Sequence, residues 1–149
     1  MCEKIRLLNV INELHPKPYK LGGNIDDDKC LSLDCMVLID QYLYLISGHR
    51  LPRKILGVDY TDYREEYEKD AERLTTIFLG LLRVEFKVFY RWEIVAGDVV
   101  WIEHKGERFP GIFVGNNSLL TCFKDTGTTF ISMADLYNSI RWVFRWVLH

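Results

Sequence analysis

The sequence predicts an α+β fold. Apolar residues recur at helical spacing through the first half of the chain, and the second half breaks into short runs with strand-like alternation. Turn signals separate those runs: Ala96-Gly97-Asp98, Lys105-Gly106-Glu107 and Asn116-Asn117. Helices first and closely spaced strands second is an α+β order, and it points to an antiparallel meander or small half-barrel under a helical layer. The chain has 149 residues, which suits one domain over residues 1–149. It is 48% hydrophobic and 27% charged, the balance of a chain with a real core rather than a disordered one.

The first helix is expected over about residues 3–14, with Ile5, Leu8, Val10 and Ile11 on its apolar side and Pro16 and Pro18 stopping it. Gly22-Gly23-Asn24 reads as a turn, and Asp26-Asp27-Asp28 as a solvated loop. That loop lacks the ligand alternation and glycine of a calcium loop. A second helix is expected over about residues 35–46. Asp34 is its N-cap, Cys35, Leu38, Ile39, Tyr42 and Ile46 form one stripe, and Ser47-Gly48 ends it. A third is expected over about residues 63–82, with Asp62 and Glu65 spaced as a capping box. Strands are expected at residues 84–90, 99–103, 111–115, 119–123, 128–132 and 140–147. In the last of these, Trp142, Phe144 and Trp146 alternate with Arg141, Val143 and Arg145, so the aromatics share one face. That face reads as core, as a sugar-binding platform, or as a docking surface flanked by outward arginines, tryptophan and arginine being prominent among interface hot spots.

Net charge is −2, so nucleic acid is not an expected partner. No stretch approaches 18 uncharged apolar residues, so no membrane insertion is expected, and the first residues do not read as a signal peptide. Cys2, Cys30, Cys35 and Cys122 match no zinc or redox spacing and are read as thiols. No cofactor or metal is expected.

Five short segments, taken in order, carry a resemblance. They are Pro18-Tyr19-Lys20-Leu21-Gly22-Gly23, Leu33-Asp34-Cys35-Met36-Val37-Leu38, Leu51-Pro52-Arg53, Gly97-Asp98-Val99-Val100-Trp101-Ile102, and Phe109-Pro110-Gly111-Ile112-Phe113-Val114-Gly115-Asn116-Asn117. This order resembles the NlpC-type, papain-like cysteine peptidases of bacterial cell walls, over roughly residues 8–147. Those enzymes read P-Y-x-x-G-G, D-C-S-G at a helix start, L-P-R, G-D-L-V-F-F and H-V-G-I-Y-I-G-N. The resemblance implies that Cys35 occupies the nucleophile position and Tyr19 the tyrosine position beside the oxyanion site. A thiol attacks only as thiolate, so the family needs a helix N-terminus to favour the anion and a histidine to take the proton.

The family's histidines do not carry over. With Gly111-Ile112 setting the register, the base position falls on Phe109, and the orienting position, twelve residues on, falls on Thr121. Both are expected to face Cys35 from adjacent strands. Of the other histidines, His104 is the one candidate substitute base. His49 should lie at the far end of the Cys35 helix, roughly 20 Å away at 1.5 Å per residue; His15 precedes the tyrosine segment and His149 is terminal. The D-C-S-G signature has become Asp34-Cys35-Met36-Val37, and Cys35 also reads as a core thiol. The resemblance, with its missing histidines, implies a degenerate peptidase domain kept as a structural or binding component of a bacteriophage tail tip. Its expected partners are other tail or assembly proteins and peptidoglycan peptides, and its expected location is the virion, or the host cytoplasm before assembly. The alternatives are an active peptidoglycan endopeptidase or amidase using Cys35, and an immunity or adaptor protein.

Overall fold

The computed structural model describes residues 3–20, 34–51, 54–55, 58–59 and 69–147. Helix α1 spans Glu3–Leu14 and α2 spans Cys35–Ser47. Strands β1 (Lys54–Ile55) and β2 (Val58–Asp59) form a small antiparallel pair, and α3 spans Ala71–Glu85. Six strands then form one antiparallel sheet: β3 (Lys87–Phe89), β4 (Val99–His104), β5 (Glu107–Gly115), β6 (Ser118–Phe123), β7 (Gly127–Ser132) and β8 (Ile140–Arg145). Their spatial order is β3-β8-β4-β5-β6-β7, so β4 to β7 are a meander and β8 returns to lie between β3 and β4.

Helix α1 buries Val10, Ile11 and Leu14 with Leu7 partly covered, an i, i+3, i+4, i+7 stripe. Leu8, assigned to that side from sequence, is instead 56% exposed, because it is one residue off the stripe. Arg6 donates to the Ile46 carbonyl and so ties α1 to the last turn of α2.

Helix α2 starts where Asp34, in an extended conformation, accepts the Val37 N–H at 2.8 Å. It ends where Gly48 takes a left-handed φ of 77° and returns its N–H to Tyr44. Met36 to Leu43 are all buried, including Asp40 and Gln41. Asp40 is compensated by Arg50 at 2.7 Å and by the Leu51 N–H at 2.8 Å. Tyr42 donates to the Gly97 carbonyl at 2.6 Å, which pins the middle of α2 to the turn before β4.

The third helix differs from its expected span. Lys69 is helical, but Asp70 leaves helical geometry and its carboxylate accepts the Arg73 N–H at 3.1 Å, capping α3. A short acidic side chain that bonds the backbone locally competes with helix continuation. The expected capping box at Asp62 and Glu65 lies outside the described residues. At the other end, the helix runs on through Val84 and Glu85, so the expected strand at residues 84–90 shrinks to β3.

The sheet is covered on both faces. On one, Val99, Trp101, Ile112, Leu120, Cys122 and Phe144 pack with α1, α2 and α3. On the other, Val100, Ile102, Leu119, Ile140 and Val143 pack with Met133 and Leu136 from the β7–β8 connection. Gly111 belongs to this second face: a Cβ there would come within 2.7 Å of the buried Leu119 side chain.

Candidate functional site

Cys35 is the first residue of α2, beside the Asp34 cap, and it packs against the helix-facing core. Two influences oppose each other on its thiol. The first backbone N–H groups of the helix favour a thiolate, whereas burial and the neighbouring Asp34 carboxylate oppose it. Burial wins, and the Cys35 thiol is pushed far above its ordinary value, with Cys122 adding to the shift. Cys122, buried on β6, is itself pushed up to about 12 by burial and by Asp34. Neither cysteine is in a disulfide; Cys2 and Cys30 lie outside the described residues.

The strands facing Cys35 present different residues from those expected. Ile112 and Val114 of β5 and Cys122 of β6 pack on the α2 side, whereas Phe109 and Phe113 pack on the opposite face with Leu119 and Ile131. Phe109 therefore does not face Cys35; its ring meets Phe123 edge-on at 5.3 Å. Thr121 alternates with Leu120 and Cys122, so it too is turned from Cys35, and its buried hydroxyl donates to the Pro110 carbonyl at 3.0 Å. The correction is a one-residue shift. Strand alternation puts Pro110 on the face of Ile112 and Val114, and Pro110 and Cys122 keep the twelve-residue separation expected of Phe109 and Thr121.

Of the histidines, His104 and His49 are engaged away from Cys35, and His149 lies outside the described residues. On β4, Val100 and Ile102 pack on the face away from Cys35, and His104 continues that alternation. Its Nδ1 lies 2.8 Å from the Ser139 hydroxyl, so His104 is not placed to serve Cys35. The His49 ring is 5.3 Å from Trp146. His15 comes closer to the site than its sequence position suggests. Its Nδ1 lies 3.1 Å from the Thr128 hydroxyl, and Thr128 is the β7 partner of Cys122. The pairing spans 113 residues, and no local sequence signal announces it.

The chain around His15 is pressed onto the first residues of β7. Thr128 donates its N–H to the Lys17 carbonyl at 2.9 Å and accepts the Lys17 N–H on its hydroxyl at 2.8 Å. Gly127 is required there: its φ is 69°, and a Cβ would come within 2.3 Å of the Lys17 oxygen. This docking brings Tyr19, partly buried, against the same core as Cys35 and Cys122.

Among the described residues, no group of three or more His, Cys, Asp or Glu side chains is placed to hold a metal ion, and no helix is long and apolar enough to cross a membrane. The Asp26-Asp27-Asp28 loop lies outside the described residues.

The C-terminal strand also differs from the outward-arginine expectation. Trp142, Phe144 and Trp146 join the helix-facing core, with Arg83 stacked 4.4 Å over Trp142. Arg145 turns inward to hold Asp98, which is 1% exposed, through two bonds of 2.7 and 2.9 Å, and also donates to the Glu93 carbonyl. Arg141 remains on the surface, 3.6 Å from Glu103.

No protein-family model and no curated protein sequence matches the chain. Solved structures do. The P60 domain of antigen MAP1204 from Mycobacterium avium subspecies paratuberculosis matches with a TM-score of 0.60 and 14% identity, over 97% of this chain and 97% of that one. The NlpC/p60 domain of the peptidoglycan hydrolase SagA matches with a TM-score of 0.58 and 11% identity, over 95% and 97%. The peptidoglycan hydrolase RipB from Mycobacterium tuberculosis matches with a TM-score of 0.57 and 15% identity, over 97% and 66%. The chain has an α+β NlpC/p60 fold.

Proposed function

We propose that this NlpC/p60-fold domain does not hydrolyse peptidoglycan and serves instead as a structural or binding subunit, in a bacteriophage tail tip. The observation that carries the non-hydrolytic reading is that Ile112, Val114 and Cys122 pack in the same core as Cys35, from which strand alternation puts Pro110, rather than Phe109, on that face. Proline has no group to accept a proton, and a thiol titrating at about 12 stays protonated at neutral pH. General-base help contributes about 10²–10⁴-fold in such reactions. Among the described residues, the strand positions opposite Cys35 offer no such base, and burial also holds the nucleophile as a thiol. The tail-tip setting rests on family analogy alone: the family that the sequence motifs resemble includes small free-standing domains in phage tails.

Incubating the protein with purified muropeptides and resolving the products by mass spectrometry tests the first part. No cleavage beyond that of a Cys35→Ala control is expected. Fractionating lysates for particle-associated protein tests the second. A protein found only as a free monomer in infected cells contradicts the tail-tip role.

A further inference from the structure

Exposed apolar side chains are concentrated at one edge of the sheet. Val84, Val88, Tyr90, Trp92 and Val95 are all exposed along the end of α3, β3 and the turn that follows, and Tyr137 lies beside them through Arg91. Tyr90 and Trp92 are 65% and 70% exposed, yet they are ordered against each other as a parallel stack 4.6 Å apart, with the planes 7° off parallel. The 3-10 turn at Arg91–Glu93 holds them, its Glu93 carboxylate accepting the Tyr90 N–H at 3.0 Å. Large aromatic side chains so exposed and so fixed lose little conformational freedom on binding.

The two sheet edges differ. At β7 the outer edge is met by the Lys17 backbone, whereas β3 ends the sheet with β8 as its sole described neighbour. An edge strand presents unpaired N–H and C=O groups outward. Residues 87–92, Lys-Val-Phe-Tyr-Arg-Trp, carry two cations and no anion in a chain whose net charge is −2. The nearest carboxylate in sequence, Glu93, is held back on the Tyr90 N–H. A two-fold contact of this strip with itself would set two cationic segments face to face. An acidic segment meets complementary charge instead.

We propose that the β3 edge, with Tyr90 and Trp92 as anchors and Lys87 and Arg91 as flanking cations, is a docking surface for an acidic polypeptide segment bearing aliphatic side chains. The inference rests on the reading of this domain as a binding subunit and names the surface it uses. It replaces Arg141 and Arg145 as the expected contact, since Arg145 is committed to Asp98. The aromatic pair supplies the apolar area and the cations steer and orient the partner.

The test is a titration of the isotope-labelled full chain with a short capped peptide alternating Glu and Leu, followed by amide chemical shifts. Shifts confined to residues 84–95 and the neighbourhood of Tyr137, weakening as salt rises, are expected. Trp92→Ala should weaken binding by about tenfold or more. Leu8→Ala, at an exposed apolar position on α1, should leave binding unchanged. An absence of shifts overturns the proposal, as does equal binding of the same peptide with Lys replacing Glu. Stronger binding of N-acetylglucosamine oligomers at this site overturns it in favour of a glycan. Concentration-dependent dimerisation abolished by Trp92→Ala overturns it in favour of a second copy of the chain. Muropeptide cleavage would defeat the non-hydrolytic reading and leave this surface standing, whereas failed peptide binding would do the reverse.

Discussion

Cys122 faces the start of α2 from β6, so it shares with Cys35 the apolar site beside the Asp34 cap. Two protonated thiols therefore stand where the resemblance leads one to look for a nucleophile and its polar partners.

The thiols should make stability fall in alkali. Their folded-state pKa values lie above the ordinary 9.0, so the folded form holds these protons more tightly than the unfolded form does. The contribution is fully present below about pH 9 and is lost as the pH rises from there toward 12. Tm measured from pH 8 upward should decline, and the Cys35→Ala/Cys122→Ala double variant should show a shallower decline. Cys35 in the folded protein should also resist alkylation by iodoacetamide at neutral pH. Rapid modification there would mean that the helix N-terminus, and not burial, controls this thiol.

The Asp98–Arg145 pair should be the costly one to break. Asp98 is buried, anchors the turn by accepting the Val95 N–H at 2.9 Å, and receives both Arg145 bonds. Arg145→Ala strands that carboxylate, and a loss of about 3–5 kcal/mol is expected in urea unfolding. Arg141→Ala removes an exposed, 3.6 Å pair with Glu103 and an exposed bond to the Asn138 carbonyl, and should cost about 1 kcal/mol. Equal small losses would show that Arg145 is a surface residue after all.

The one-residue register shift can be tested by grafting. Cys122→His places an imidazole on the face that Cys35 occupies, and the Cys35 pKa, read from the pH dependence of alkylation, should fall. Phe109→His places the same group on the far face, among Phe113, Leu119 and Phe123, and should leave Cys35 unchanged. A drop in the second variant and none in the first would restore the register expected from the motif.

Much of the frame is legible in the sequence because its determinants are local. Asp34 sits one residue before an apolar helical stripe, and the structure caps α2 there. Gly97-Asp98 announces a turn before Val99, and β4 begins there. The facing of the site is not local. Gly111-Ile112 sets the motif alignment, but glycine has no side chain to declare a face, and β5 begins earlier than expected, at Glu107, and runs through Pro110. Which face Phe109 takes is decided by its neighbours on β4 and β6. The same holds for Arg145: alternation along β8 predicts its face but not the buried carboxylate 47 residues earlier. His15 is the extreme case, since only the packing of the Lys17 segment on Thr128 brings it near.

The central claim is that this fold has kept its nucleophile position without the means to use it. Product formation from purified muropeptides, compared between the native protein and Cys35→Ala, tests it most directly. The account predicts no difference between the two and no turnover above buffer in either. Turnover that disappears in Cys35→Ala would contradict it, and its further loss in His15→Ala or His104→Ala would name the base.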